Sequence, residues 1–174
     1  DYDVDGVSST ALLMTVFTKL GFNIDYYLPD RHSEGYGLHI ESLQKLIPKY
    51  DLLITVDCGI TALDEVDYAK DKIDMIITDH HLPREILPDA FAIINPTQTQ
   101  CIYPNKNLCG VGVAFKLCQG LYQSLNKDIH ELENYLDIVA LGTIADIVPL
   151  VDENRRIVKK GLANIQNLGY KNFN

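Results

Sequence analysis

Short apolar runs alternate with helical periodicity along the chain. Residues 51–56 (DLLITV), 73–78 (IDMIIT) and 91–94 (FAII) are too short for core helices and too uniformly apolar for half-exposed strands. Residues 61–70, between the first two runs, have the pattern of a crossover helix. This alternation predicts right-handed βαβ units, and therefore an α/β domain with a doubly wound, mainly parallel sheet flanked by helices.

Helices are predicted on both sides of this strand region. Apolar residues recur at helical spacing over 7–20, with serine and threonine near the start and Gly21 at the position of a C-cap. A shorter helix over 38–47 ends before Pro48. After a polar loop at 97–108 the pattern predicts a helical C-terminal part. Its helices are expected over residues 112–124, 129–145 and 154–168.

One further strand is expected near the N-terminus. Residues 24–28 (IDYYL) are aromatic and β-branched and stop at Pro29, which favours a strand. The segment over 29–37 (PDRHSEGYG) has the proline, serine and glycine of a loop.

Composition and charge indicate a globular domain that carries acidic chemistry. The 174 residues are 47% hydrophobic and 22% charged, with 15 Lys and Arg against 24 Asp and Glu, a net charge of −9. This composition excludes a disordered, collagen-like or coiled-coil chain, and no apolar run reaches the roughly 18 residues of a membrane span. The negative charge argues against an exposed basic surface for nucleic acid, although a site for divalent cations collects carboxylates. We expect a soluble, cytoplasmic protein with no membrane association.

The two ends of the chain resemble cut edges. The chain begins at Asp1 inside an acidic cluster, with no initiator methionine and no strand before it. The helical pattern at its other end has no evident stop. We therefore expect residues 1–174 to form one domain that is truncated at its N-terminus and lacks the C-terminal domains of a longer protein.

Aspartates and histidines fall where the predicted strands end. In an open α/β sheet, ligands bind outside the carboxyl ends of the strands, so these side chains would face one rim of the sheet. Crowded carboxylates repel one another, and a cation among them relieves that repulsion. Since aspartate is mixed with histidine, Mn²⁺ is favoured over Mg²⁺ or Ca²⁺. The residues concerned are Asp1, Asp3, Asp5, Asp57, Asp79, His80 and His81.

The same residues also fit other kinds of site. A single aspartate after a strand is usually an N-cap or a turn residue. The segment DYDVDG imitates part of a calcium loop, but the EF-hand pattern requires Glu six residues after the glycine, where Leu12 stands. A phosphoacceptor site like that of receiver domains also uses an acidic cluster with Mg²⁺. The paired histidines and the additional helices fit that site poorly.

Seven segments together resemble the DHH phosphoesterase superfamily, which is named for the triplet present here at residues 79–81. In chain order they are DYDVDGVSST, PDRHSEGYGL, ITVDCGIT, ITDHHLP, INP, CGVGVAFKL and ALGTIADIVPL. Their order and spacing are similar to those of the bacterial single-strand-specific 5′ to 3′ exonucleases of this superfamily. The resemblance implies a hydrolase of single-stranded DNA in repair and recombination, with two Mn²⁺ or Mg²⁺ ions at its site. Other repair and replication proteins are expected as partners.

The resemblance also implies which residues bind the ions. Asp3 would bind one ion, Asp5 would bind the other, and Asp57 would bridge both. His80 and Asp146 would complete the coordination of the second ion. All five, together with His81, are the expected catalytic residues. Two cations can generate the attacking hydroxide and stabilise the leaving oxygen, so we expect hydrolysis by water without a covalent enzyme intermediate.

The remaining residues of the motifs have supporting roles by the same resemblance. Asp1 would be a further ligand or would lie behind the ligands, and Asp79 would orient a histidine. His81 is expected to contact the scissile phosphate. Arg31 is a second phosphate candidate because its planar fork matches phosphate oxygens, the alternative being a solvated loop residue.

Two features outside the acidic cluster each have two possible roles, one in binding and one in packing. The N–H groups of residues 109–112 (CGVG) could bind a phosphate at a helix start or form a packing turn. Tyr36 could stack on a base or pack within its loop.

Two other functions compete with the exonuclease. One is a small-substrate phosphoesterase of the same superfamily, such as an oligoribonuclease, a nucleotide bisphosphate phosphatase or a pyrophosphatase. The other is a scaffold that has lost catalysis.

Overall fold

The computed structural model describes residues 2–29 and 35–168. Helices and strands follow one another in this part of the chain in the order α1 (Val4–Lys19), α2 (Ile40–Leu46), β1 (Leu52–Val56), α3 (Leu63–Ala69), β2 (Asp74–Thr78), β3 (Ala92–Ile94), α4 (Gly110–Ser124), α5 (Leu136–Ala145) and α6 (Asp152–Leu168). Short 3-10 segments at Ile47–Lys49 and Ile129–Tyr135 precede β1 and α5. No described helix has both the length and the apolar character needed to cross a membrane.

The strands form a parallel sheet in the order β1-β2-β3. Val56 pairs with Thr78, and Thr78 pairs with Ile94, so the three strands end level with one another. The residues that follow the strands therefore lie side by side at one edge of the sheet.

Helices cover both faces of the sheet, because side chains of a strand point alternately to opposite faces. On one face, Ile54 and Val56 of β1 pack against a core that α1, α4, α5 and α6 build. On the other face, Met75 and Ile77 of β2 pack against α2 and α3 around Leu43 and Val66. The predicted α/β fold with a parallel, doubly wound sheet is confirmed.

The strand predicted over residues 24–28 is wrong. This segment has no regular secondary structure, and Tyr26 is 61% exposed. The local preference for extended backbone is present, but a strand also needs a neighbour for its N–H and C=O groups. Among the described residues, β1 pairs with β2 alone, and a groove separates its other edge from this segment.

The first helix begins earlier than the pattern predicted. Asp3 caps it, with Oδ1 accepting a hydrogen bond from the N–H of Gly6 at 2.9 Å. Ser9 and Thr10, which we expected near the start, lie inside the helix and donate to carbonyls four residues earlier. The capping signal was thus one turn upstream, in the acidic cluster itself.

The single helix predicted over 129–145 is divided in two. Residues Ile129–Tyr135 form a 3-10 segment. Asp128 caps its start, because its side chain accepts a hydrogen bond from the N–H of His130. Leu132 is the buried residue of that segment, whereas α5 is buried along most of its length. The polar stretch therefore lacks the apolar face that would hold a regular α-helix on the core.

Gly161 allows α6 to cross α5 at close range. A Cβ atom at this position would lie 2.2 Å from the carbonyl oxygen of Leu136 and 2.4 Å from Cβ of Ala140. A backbone carbonyl and a short side chain cannot move aside as the end of a flexible side chain can.

Replacing this glycine is expected to destabilise the protein although alanine is the better helix former. Gly161→Ala should lower the free energy of unfolding by about 1–3 kcal/mol, the usual cost of overpacking. Gly120→Ala in α4, where nothing lies within 4 Å of the new methyl group, should instead raise the free energy of unfolding by about 0.5–1 kcal/mol. Urea denaturation measures both, and equal stability of the two variants would contradict the close helix contact.

Candidate metal centre

The chain continues the sheet pairing by one residue past β1 and past β2 before it turns towards the candidate centre. The N–H of Asp57 donates to the carbonyl of Thr78 at 2.9 Å, and the N–H of Asp79 donates to the carbonyl of Ile94 at 3.1 Å. Asn95 follows the third strand at the same level. The parallel register alone therefore brings Asp57 and Asp79 to one edge.

Asp57 occupies an unusual backbone conformation. Its φ is 59°, in the left-handed region that aspartate tolerates better than most residues. The turn behind it is held by Thr55, whose hydroxyl donates to the carbonyl of Cys58 at 2.9 Å. The carboxylate is 2% exposed. Strained backbone of this kind is typical of functional sites.

His80 lies among three carboxylates that come from distant parts of the chain. Its Nε2 atom is 3.1 Å from Oδ1 of Asp57, 3.7 Å from Oδ2 of Asp146 and 3.9 Å from Oδ2 of Asp5. Burial alone would lower the pKa of His80, but Asp57 beside it raises this pKa. Two sets of potential ligand atoms, each within 4.8 Å of one another, share His80: one adds Asp57 and His81, the other Asp5 and Asp146.

Asp5 is held by the first turn of α4. Its carboxylate oxygens accept hydrogen bonds from the N–H groups of Gly110 at 2.5 Å and Val111 at 2.8 Å. The positive end of the helix dipole stabilises such a buried negative charge. These two N–H groups are therefore not free for a phosphate, which was one of the two interpretations of the CGVG segment.

Two glycines make room for the carboxylates. A Cβ atom on Gly110 would come within 2.7 Å of Oδ1 of Asp57, and one on Gly142 within 2.8 Å of Oδ1 of Asp5. Sequence reasoning had considered the backbone N–H of Gly110 as a phosphate donor but had given neither glycine the role of leaving space for a carboxylate. The signal was available, since both belong to segments that carry the family resemblance.

Asp79 holds the loop after β2 and orients His81. Its Oδ1 accepts from the N–H groups of His80 at 2.7 Å and His81 at 3.1 Å and lies 2.7 Å from Nδ1 of His81, while Oδ2 accepts from the N–H of Ile60 at 2.9 Å. Burial alone would raise the pKa of Asp79, but the hydrogen bonds from His81 and the backbone lower it. The same contact raises the pKa of His81.

Further contacts that the sequence did not reveal fix His81. Asn95 and Thr97 both donate side-chain hydrogen bonds to its carbonyl oxygen at 2.9 Å. The hydroxyl of Tyr36 lies 3.3 Å from Nε2 of His81 and donates to the carbonyl of Asp57 at 3.3 Å. Burial, followed by the charge of Asp57, raises the pKa of Tyr36. Tyr36 thus remains a protonated donor beside His81.

The other candidate residues lie at different distances from this cluster. Asp146 ends α5, and its side chain is 25% exposed. Asp3 is exposed and belongs to neither set of ligand atoms, although its charge, after burial and other causes, raises the pKa of both Asp57 and Asp146. Asp1 and Arg31 lie outside the described residues.

The donors of the cluster fit a divalent cation. Within the part of the chain that the structure describes, Oδ1 of Asp57 is buried without a hydrogen bond, and Nε2 of His80 lies 3.1 Å from it. Burial raises the pKa of Asp57 to about 6; the contact with His80 opposes this rise, and the nearby charge of Asp5 adds to it. A cation would satisfy this oxygen, and carboxylate oxygens combined with an imidazole nitrogen suit Mn²⁺.

The fold and the cluster together define an α/β domain with an aspartate and histidine centre at the carboxyl edge of its parallel sheet. The family model "DHH family, N-terminal domain" matches residues 1–143. The chain belongs to the DHH family.

Curated relatives place the chain within that family. It is 46% identical over 168 residues to the single-stranded-DNA-specific exonuclease RecJ of Bacillus subtilis (strain 168), an alignment that covers 95% of this chain and 21% of the relative. It is 43% identical over 178 residues to RecJ of Escherichia coli (strain K12), covering 95% of this chain and 31% of that protein. The chain thus spans between a fifth and a third of these relatives. The similarity to single-strand-specific exonucleases that the seven segments predicted is confirmed.

Solved structures agree in fold over nearly the whole chain. An exonuclease RecJ bound to manganese matches with a TM-score of 0.87 and 34% identity, covering 99% of this chain and 47% of that one. RecJ from Thermus thermophilus in complex with Mn²⁺ matches with a TM-score of 0.81 and 35% identity, covering 94% of this chain and 23% of that one.

Removal of one negative charge from the cluster is expected to stabilise the metal-free protein. Asp57→Asn keeps the shape of the side chain but removes a buried negative charge close to Asp5. Burial disfavours this charge by more than the contact with His80 favours it, so we expect a gain of about 1 kcal/mol in the free energy of unfolding.

Chemical denaturation in the presence of EDTA measures this gain. The matched control is Asp74→Asn at the exposed start of β2, which should change the free energy of unfolding by no more than about 0.5 kcal/mol. A loss of stability in Asp57→Asn would mean that its carboxylate is already satisfied within the protein.

Proposed function

We propose that this chain is the catalytic core of a single-stranded-DNA-specific exonuclease that hydrolyses DNA from the 5′ end with two divalent cations, Mn²⁺ or Mg²⁺. The observation that carries the proposal is the convergence of Asp5, Asp57, His80 and Asp146 within a few ångströms. The RecJ relatives support the activity and the substrate, and the manganese-bound RecJ structures support the ion.

The proposed ligands are the four converging residues, with Asp3 and Asp1 completing the site. Bound cations would activate a water molecule and neutralise the charge of the phosphate. Asp57 has the unsatisfied oxygen that can serve a cation, and the first turn of α4 holds Asp5 in a fixed orientation. Preorganised ligands of this kind need little rearrangement when the ion binds.

His81 is the proposed contact for the scissile phosphate. Its Nδ1 atom is engaged by the carboxylate of Asp79, and the same contact raises the pKa of His81 and so favours the imidazolium form. In that form Nε2, which lies 3.3 Å from the Tyr36 hydroxyl, can donate to a phosphate oxygen that takes the place of this contact. Its side chain is 45% exposed, against 15% for His80, so substrate can reach it. Arg31 is proposed as a second phosphate contact on the grounds of its guanidinium chemistry.

The setting of this activity is part of the same proposal. We propose single-stranded DNA as the substrate, DNA repair and recombination as the process, and the cytoplasm as the location, with other repair and replication proteins as partners. The two further candidate functions, a small-substrate phosphoesterase and an inactive scaffold, have no observation in their favour.

Degradation of single strands tests the function directly. In the presence of Mn²⁺, a DNA single strand blocked at its 3′ end should release mononucleotides, whereas one blocked at its 5′ end should not. Cleavage of dinucleotides with no action on long strands would instead indicate the small-substrate phosphoesterase. Absence of Mn²⁺ binding in calorimetry would indicate the inactive scaffold.

The two neighbouring histidines are expected to respond differently to mutation. His80→Gln should lose Mn²⁺ binding together with activity. His81→Gln should retain Mn²⁺ binding and lower kcat by about 100-fold or more, the scale of a lost side chain that assists the reacting phosphate. Calorimetry and single-turnover kinetics measure the two effects. A parallel loss of Mn²⁺ binding in His81→Gln would make His81 a ligand instead.

A further inference from the structure

Asn154 is a buried polar residue in the first turns of α6, 1% exposed, that connects two loops leading into the candidate metal centre. We propose that Asn154 is a positioning residue: it sets Asp146 against Asp5 by holding the backbone beside each of them. The inference rests on the proposed function, because that function makes both aspartates ligands of a cation.

Every polar atom of the Asn154 side chain has a partner. Its Nδ2 atom donates to the carbonyl oxygens of Asn107 at 2.6 Å and Pro149 at 3.0 Å. Its Oδ1 atom accepts from the side chain of Asn105 at 3.1 Å. An amide on a short stem is the side chain that offers two donors and one acceptor here, and it cannot rotate without losing all three hydrogen bonds.

The hydrogen bond to Asn107 acts on the side of Asp5. Asn107 lies two residues before Cys109, the N-cap of α4. The next two N–H groups of this helix, those of Gly110 and Val111, hold the carboxylate of Asp5. Fixing the carbonyl of Asn107 therefore fixes the entry of α4 and, through it, the orientation of Asp5.

The hydrogen bond to Pro149 acts on the side of Asp146. Pro149 follows Asp146 by three residues, and the turn between them passes through Ile147 with a φ of 58°. This left-handed conformation is unfavourable for a β-branched residue, and it persists when the surroundings impose it. The side chain of Ile147 is 88% exposed, so its own packing does not impose the turn. The hydrogen bond from Asn154 to Pro149 supplies such a restraint.

The loop between β3 and α4, which Asn154 contacts through Asn105 and Asn107, also reaches the histidines. It leaves β3 through Asn95 and Thr97, which hold the carbonyl of His81. Lys106 closes the loop by donating to the carbonyls of Pro96 at 2.7 Å and Cys101 at 2.6 Å. A displaced loop would therefore disturb the candidate centre on the side of the third strand as well.

A matched pair of variants separates positioning from general stabilisation. Asn154→Ala removes the connection to both aspartates. Tyr103→Phe removes a different hydrogen bond between the same loop and α6, that from the Tyr103 hydroxyl to Glu153 at 2.6 Å. Both variants loosen the same contact between loop and helix, but Asn154→Ala alone releases Pro149. Asn105→Ala removes the donor to Oδ1 of Asn154 and the acceptor of the Asn107 N–H, but leaves both hydrogen bonds from Nδ2 of Asn154 in place. It is a milder third variant for the case in which Asn154→Ala does not fold.

Mn²⁺ affinity, measured by calorimetry on the purified protein, is the first readout. We expect Asn154→Ala to weaken Mn²⁺ binding by about tenfold or more, the usual effect of losing a group that orients ligands. Asn105→Ala should cause a smaller loss, and Tyr103→Phe should cause none. If Asn154 acts through Asp146, the double variant Asn154→Ala/Asp146→Asn should lose far less Mn²⁺ affinity than the product of the two single-variant losses. An equal loss in Tyr103→Phe, or multiplicative losses in the double variant, would overturn the proposal.

Amide hydrogen exchange without metal is the second readout, and it is independent of the proposed function. Asn154→Ala should accelerate exchange of the Asp146 and Ile147 amides relative to the rest of α5, and Tyr103→Phe should not. If the wild-type protein bound no Mn²⁺, the proposed function would be wrong. The exchange rates of the Asp146 and Ile147 amides would still show whether Asn154 positions Asp146. Unchanged exchange at both amides would refute that role.

Discussion

Repulsion among buried carboxylates is the constraint on which the rest of the structure depends. Asp5, Asp57 and Asp146 all approach one imidazole, His80, within 4 Å. Like charges at such distances in a poorly solvated pocket oppose folding unless hydrogen bonds, dipoles or cations offset them. Several local features of this protein can be understood as ways of holding these charges together until a cation arrives.

The offsets come from different parts of the fold. The first turn of α4 supplies two N–H groups and the positive end of a helix to Asp5, and Asp79 is satisfied by backbone N–H groups and His81. Asp57 has no such partner for Oδ1 among the described residues. The carboxylate that lacks a hydrogen bond is therefore the one best suited to a cation. Its burial destabilises the metal-free protein, and a bound cation would offset that cost.

Much of this arrangement follows from patterns that are local in the chain. The alternation of apolar runs and helical periodicity was enough to predict the α/β class, because strand length and period are local properties. Placement of acidic residues at strand ends predicted a shared rim, since parallel strands end on the same side. The sequence could not show that residues 24–28 lack a strand neighbour. Strand pairing depends on which segments are adjacent in the folded protein, and β-propensity does not reveal that.

By itself, then, the sequence determined the fold class, the family resemblance and the residue types of the candidate centre. Tertiary structure alone decided how those residues are held: that the N-terminus of α4 serves Asp5, that Gly110 and Gly142 leave space for carboxylates, and that Asn154 joins two loops. The contact of Asn154 with Asn107 spans 47 residues of the chain, and that of Gly110 with Asp5 spans 105. Neither the hydrophobic periodicity nor the spacing of motifs predicts such contacts. They form only when the helices pack against the sheet and fix the loops between them.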